Sequence, residues 1–166
     1  METYLNERSA SVEILIHFDQ HKKLDYSISN ELEARERAQV REYVQSILRK
    51  RSYLDFIIDH YATIDVNEMK VELKNMLRLG IYDMLFMDST PDYAAINEAV
   101  ELGKAKMGSK TGDLINAILR NLQRDLDQLP KPQFKDRTKL VATTFSHPEW
   151  LVKRWSARFG EREAFQ

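Results

Sequence analysis

The sequence has no cysteine, which removes disulfides, thiolate zinc sites and cysteine nucleophiles from the chemistry open to it. Only 5 glycines and 4 prolines occur in 166 residues, so little of the chain is given to turns, as expected of helices joined by short connections. Every apolar cluster is broken by Asp, Glu, Arg or Lys, and no stretch is suited to spanning a membrane. The start, METYLNERSASVEILIHF, lacks the basic-then-apolar layout of a secretory leader. With no cysteine and no leader, a cytoplasmic protein is expected. Charge of one sign is also missing. The 25 Lys and Arg offset the 26 Asp and Glu to leave a formal charge of -1, which gives no global pull toward nucleic acid. Any RNA affinity must therefore come from a local patch. Glycine-rich phosphate loops after a strand are absent, and so are serine–histidine triad contexts and repeats of 20–50 residues.

What is present is helical periodicity. In VELKNMLRLGIYDMLFM (71–87), Leu73, Met76, Leu77, Ile81, Met84 and Leu85 form one apolar stripe, and Leu79, Tyr82 and Phe86 form a second. A helix apolar on more than one face belongs at the centre of a bundle. Gly80 sits on the first stripe at a propensity cost of roughly 1 kcal/mol, which predicts a close helix crossing. Gly103, on the stripe of Ile96, Ala99, Val100 and Met107, predicts another.

Around this segment the spacing predicts helices at 6–21, 32–51 and 54–61, one after the TPD at 90–92, and a last long one from near Asp113 to Leu129. In the first, Asp19 falls on the line of Val12, Leu15 and Ile16. In the second, Glu33 and Arg37 have ion-pair spacing. Asn67 reads as the cap of the central helix, and Thr90 as a cap before a first-turn Pro91. GSKTGD (108–113) reads as a loop. Residues 131–145 read as an extended connector, and Ser146 and Glu149 as a capping box before a short helix closed by Gly160. The expected fold class is all-α, a bundle of about seven helices, then an extended linker and a short terminal helix. The expected domains are 1–130 and 131–166.

Chemistry is sparse. His17 and His21 have i, i+4 spacing but no third ligand in a known motif, so no metal is expected. No carboxylate pair stands out as an acid and base. Residue patterns alone describe a binding or scaffolding domain. Basic residues cluster twice at expected helix ends, as Arg49, Lys50 and Arg51 and as Lys104, Lys106 and Lys110. These are either cations favouring helix C-termini or phosphate contacts.

Three segments read together carry a resemblance: MLRLGIYDMLFMDSTPDYAAINEAVELGKAKM, LINAILRNLQR and SHPEWLVKRWSARFG. The first two resemble the NusB-like helical fold. That fold is shared by NusB antitermination factors and the N-terminal domain of Sun/RsmB-type 16S rRNA cytosine-C5 methyltransferases. Asn116 and Arg120 stand where the family has its asparagine and arginine. The third segment resembles the piece that joins the NusB-like domain to the methyltransferase body, and NERSASVEIL lacks the arginine-rich start of NusB-type factors.

The resemblance implies a non-catalytic, RNA-binding domain of an rRNA methyltransferase, with small-subunit rRNA and a C-terminal methyltransferase domain in cis as partners. No cofactor is expected in this chain, and S-adenosylmethionine only in the catalytic domain. Arg120 joins the two basic clusters as an RNA candidate. Gly80, Asn97, Glu98 and Asn116 are motif residues, either structural bridges between helices or RNA contacts. Trp150, Leu151, Trp155 and Phe159 are expected to pack against the following domain. The alternatives are a free-standing antitermination factor that binds RNA with a small ribosomal protein, and a protein-interaction scaffold without an RNA role.

Overall fold

Asn6 starts the first helix, α1 (Glu7–His21), by a reciprocal cap. Its side chain accepts from the Ser9 N–H at 2.8 Å, and the Ser9 hydroxyl accepts from the Asn6 N–H at 3.0 Å. The structure, a computed structural model, describes residues 5–164; the outer ends of both expected domains lie outside the described residues. A 3-10 turn (Tyr26–Ser29) leads to α2 (Ala34–Arg49). Lys50 then serves as the C-cap of α2 and the N-cap of α3 (Arg51–Tyr61). The chain continues through α4 (Val71–Phe86), α5 (Asp92–Met107), α6 (Ser109–Arg124), α7 (Arg137–Thr144), α8 (Glu149–Phe159) and α9 (Glu161–Ala164). All regular structure among the described residues is helical.

The 71–87 segment is central as expected. α4 packs on α1, α2, α3, α5 and α6 and is buried over nearly its whole length. At Gly80 a β-carbon would lie 2.8 Å from Leu119 Cδ1 and 3.1 Å from Ala99 Cβ, so α5 and α6 do approach closely there. Gly103 faces Ile115 and the backbone of Gly112 in the same way.

Several local expectations are corrected. GSKTGD is not a loop: Gly108 alone, at φ 96° and ψ 171°, separates α5 from α6. Gly112 is thus a helical residue pressed against Lys104 and Val100, not a turn residue. The 131–145 connector is extended only at its start and then forms α7. The Asp136 side chain caps α7 by accepting from the Thr138 N–H at 2.8 Å and the Lys139 N–H at 3.3 Å. Lys70, not Asn67, stands at the N-cap position of α4, without a side-chain bond, and Pro91 is itself the N-cap residue of α5 rather than a first-turn residue. Arg37 donates to the Leu32 carbonyl instead of pairing with Glu33. Ser146 forms no box with Glu149, because α8 begins after Pro148, which stands at the N-cap position without a side-chain bond. Its hydroxyl instead accepts from the Tyr53 N–H at 3.1 Å, so it satisfies the first turn of α3 from a distant part of the chain.

Candidate nucleic-acid interface

Two ion networks missed by periodicity run through α4. Arg78 is 1% exposed. Its guanidinium grips Asp55 with two bonds of 2.7 and 2.9 Å and reaches Asp19 and the Asn75 carbonyl oxygen, both at 3.0 Å. The Asn75 amide donates to Asp19 at 2.9 Å, and Arg51 stands 3.6 Å from the same carboxylate. Burial on its own would raise the Asp19 carboxyl, but Asn75, Arg78 and Arg51 outweigh it and hold the group below the usual range. One turn on, buried Asp83 accepts from the Tyr43 hydroxyl at 2.7 Å and from Arg8 at 2.8 Å. Burial and that carboxylate push the Tyr43 phenol upward, so it stays a donor. These charges are satisfied inside the bundle and offer nothing to a ligand. The signal for them was an Arg in the middle of an apolar helix and Asp19 on an apolar line: buried charges must find each other.

The expected RNA residues fall on two separate faces. Asn97, Lys104, Asn116 and Arg120 line a shallow groove of about 260 Å³ between α5 and α6, together with Glu101 and Asp113. Lys104 is bound there to Glu101 at 2.9 Å, and Arg120 donates to Gln123. Lys106 lies outside this groove, in an ion pair with Glu13, and Lys110 is exposed in the first turn of α6. Asn97, Glu98 and Asn116 are all exposed, not in the buried bridge that was one reading of them.

Arg49, Lys50 and Arg51 lie elsewhere. They line a cleft of about 1300 Å³ between the α2–α3 corner and the α7–α8 corner, walled also by Tyr53, Phe86, Phe145 and His147. The Lys50 ammonium sits 4.3 Å from the centre of the Phe86 ring. On α8, Val152 is buried, while Trp150 is 63% and Phe159 52% exposed. Leu151 is half-buried, and Trp155 meets His147 edge-on at 5.2 Å. No cluster of three or more His, Asp or Glu suited to a metal ion occurs among the described residues, and none of the helices is long and apolar enough to cross a membrane.

Comparison with known proteins accounts for this architecture. The chain is 32% identical over 162 residues to a probable ribosomal RNA small subunit methyltransferase B of Bacillus subtilis, covering 92% of this chain and 35% of that protein. To the ribosomal RNA small subunit methyltransferase B of Vibrio cholerae it is 29% identical, covering 95% of this chain and 36% of that protein. It therefore spans about a third of the length of these methyltransferase relatives. A transcription antitermination protein NusB of Ruminiclostridium cellulolyticum is 32% identical over 66% of this chain and 78% of its own length. Among solved structures, the antitermination factor NusB, in complex with NusE and dsRNA, superposes with a TM-score of 0.64 at 18% identity over 71% of this chain and 93% of its own. PH0851 does so with a TM-score of 0.72 at 15% identity over 99% of this chain and 38% of its own. The NusB family model matches residues 5–124, which is α1 through α6, and the chain belongs to the NusB family.

Proposed function

We propose that this chain is the non-catalytic, RNA-positioning domain of an rRNA cytosine-C5 methyltransferase. The observation that carries the reading is how far the similarity extends. The matches to the Bacillus and Vibrio methyltransferases take in 92% and 95% of this chain. The NusB antitermination relatives take in 47–66% of it. The longer reach of these two matches supports giving the segment that carries α7 and α8, beyond the NusB-family match, to the methyltransferase reading. A sequence without cysteine cannot supply the thiolate that such a reaction needs. Among the described residues all regular structure is helical, so on this reading a strand–loop–helix cradle for S-adenosylmethionine belongs to another domain. The reading therefore gives chemistry and cofactor to a methyltransferase domain in cis, and gives this domain the task of holding small-subunit rRNA.

A rival reading, a free-standing antitermination factor that binds RNA with a small ribosomal protein, draws on the 78% coverage of the Ruminiclostridium NusB. It leaves α7 and α8 without a role. The test is titration of a labelled small-subunit rRNA fragment with the purified chain across salt concentrations. Binding is expected at low salt and should weaken by about 0.7–0.9 in logarithmic slope for each phosphate contacted. Absence of binding at low salt would sink the RNA reading and advance the scaffold.

A further inference from the structure

We propose that the cleft between the α2–α3 corner and the α7–α8 corner holds an unpaired RNA segment, with a base on the Phe145 ring and flanking phosphates on Arg49 and Lys50. The proposal rests on the RNA reading above and narrows it to one strand type and one face.

The first support is uncompensated charge. Arg49 is exposed and bonds to the Ser46 hydroxyl at 3.2 Å, while Lys50 lies over Phe86. Among the described residues no carboxylate stands within ion-pair distance of either. The acidic residue in the cleft wall, Asp55, is already held in two bonds by buried Arg78. The α5–α6 groove is the opposite case. Its lysine is paired with Glu101, and Asp113 shares the wall, so a phosphate entering there would meet carboxylates.

The second support is aromatic surface beside those cations. Phe145 is 63% and Phe86 37% exposed. Phe86 belongs to a row of rings with Tyr53 at 6.5 Å, and Tyr53 in turn meets Phe56 at 6.4 Å. Exposed rings interleaved with cations are the elements of single-strand binding: cations follow the backbone and rings receive bases. A duplex keeps its base faces stacked internally and has none to offer a phenyl ring.

The third support is rigidity. The Ser146 hydroxyl accepts from the Tyr53 N–H at 3.1 Å, and the His147 N–H donates to the Ala142 carbonyl at 2.9 Å. Phe145 is therefore fixed to α3 from the residue beside it.

The test uses the whole chain, a labelled ten-nucleotide oligouridylate, and an RNA duplex of equal length. Wild type should bind the oligouridylate more tightly than the duplex. Phe145→Ala, and Phe145→Leu which keeps the apolar bulk, should each weaken oligouridylate binding on the order of tenfold and leave duplex binding alone. Arg49→Ala with Lys50→Ala should lower the salt slope by about 0.7 per cation removed. Lys104→Ala with Lys110→Ala should change neither. If the cleft variants bind oligouridylate as wild type does while the rRNA fragment is still bound, the cleft is wrong and the broader reading stands. Equal binding of duplex and single strand also overturns the proposal. If wild type binds no RNA, both readings fall.

Discussion

A guanidinium at 1% exposure is tolerable in the middle of α4 because Asp55, Asp19 and Asn75 occupy its donors. Removing the guanidinium would leave Asp55 and Asp19 partly open to solvent, with Asp19 still held by Asn75 and Arg51, so the cost is chiefly that of the lost charge-assisted bonds. Arg78→Met should lower unfolding free energy by about 2–3 kcal/mol, read as a shift in urea midpoint; a midpoint equal to wild type would show that the network contributes nothing. Asp19 makes a separate, pH-dependent contribution. Its folded carboxyl lies below the ordinary value of 3.8. Its stabilisation is thus fully present above that value and is lost as pH falls through the lower folded one. Asp19→Asn should be less stable at neutral pH and should lose less stability on acidification from about pH 6 to about pH 3. Parallel stability–pH curves for the two proteins would refute this.

At the scale of elements, the tightest helix packing is at the glycines. Gly80→Leu should cost about 1–3 kcal/mol by overpacking against Leu119 and Ala99; a denaturant midpoint at or above that of wild type would refute the crossing. This much was legible in the sequence, because a glycine on an apolar stripe gives up both helix propensity and buried side-chain area, a loss that a closely packed neighbouring helix offsets. The helix α7 was not. Its residues, RTKLVATT, are rich in β-branched side chains of weak helix propensity, and it is packing on α3 and α8 that sustains it. GSKTGD misled for a related reason. Ser, Gly and Asp are turn formers in isolation, yet here Gly112 is small so that α5 can come close. The two basic clusters were legible as clusters. The pairing of Lys104 with Glu101 is local to α5, but that Lys106 would be tied to Glu13 on α1, and Arg49 and Lys50 left beside aromatic rings, depends on distant elements meeting, which no local pattern encodes. Ser146 has a cap's chemistry, but the helix it caps is remote in sequence.

At the scale of the whole molecule, the single residue between α5 and α6 has a kinetic consequence. Gly108 closes a helical hairpin with almost no loop, so the two helices are neighbours along the chain as well as in space. Contacts of that kind need little chain entropy to form and come early in folding. The Arg78 network instead joins α4 to α1 and α3 across long stretches of chain and must wait for them to assemble. Truncation inside the hairpin, as in Ile115→Val, should therefore act mainly on the refolding rate, and Arg78→Met mainly on the unfolding rate. Stopped-flow chevrons of the two variants would separate these effects, and the reverse partition would mean that this bundle nucleates around its buried charges rather than at its tightest turn.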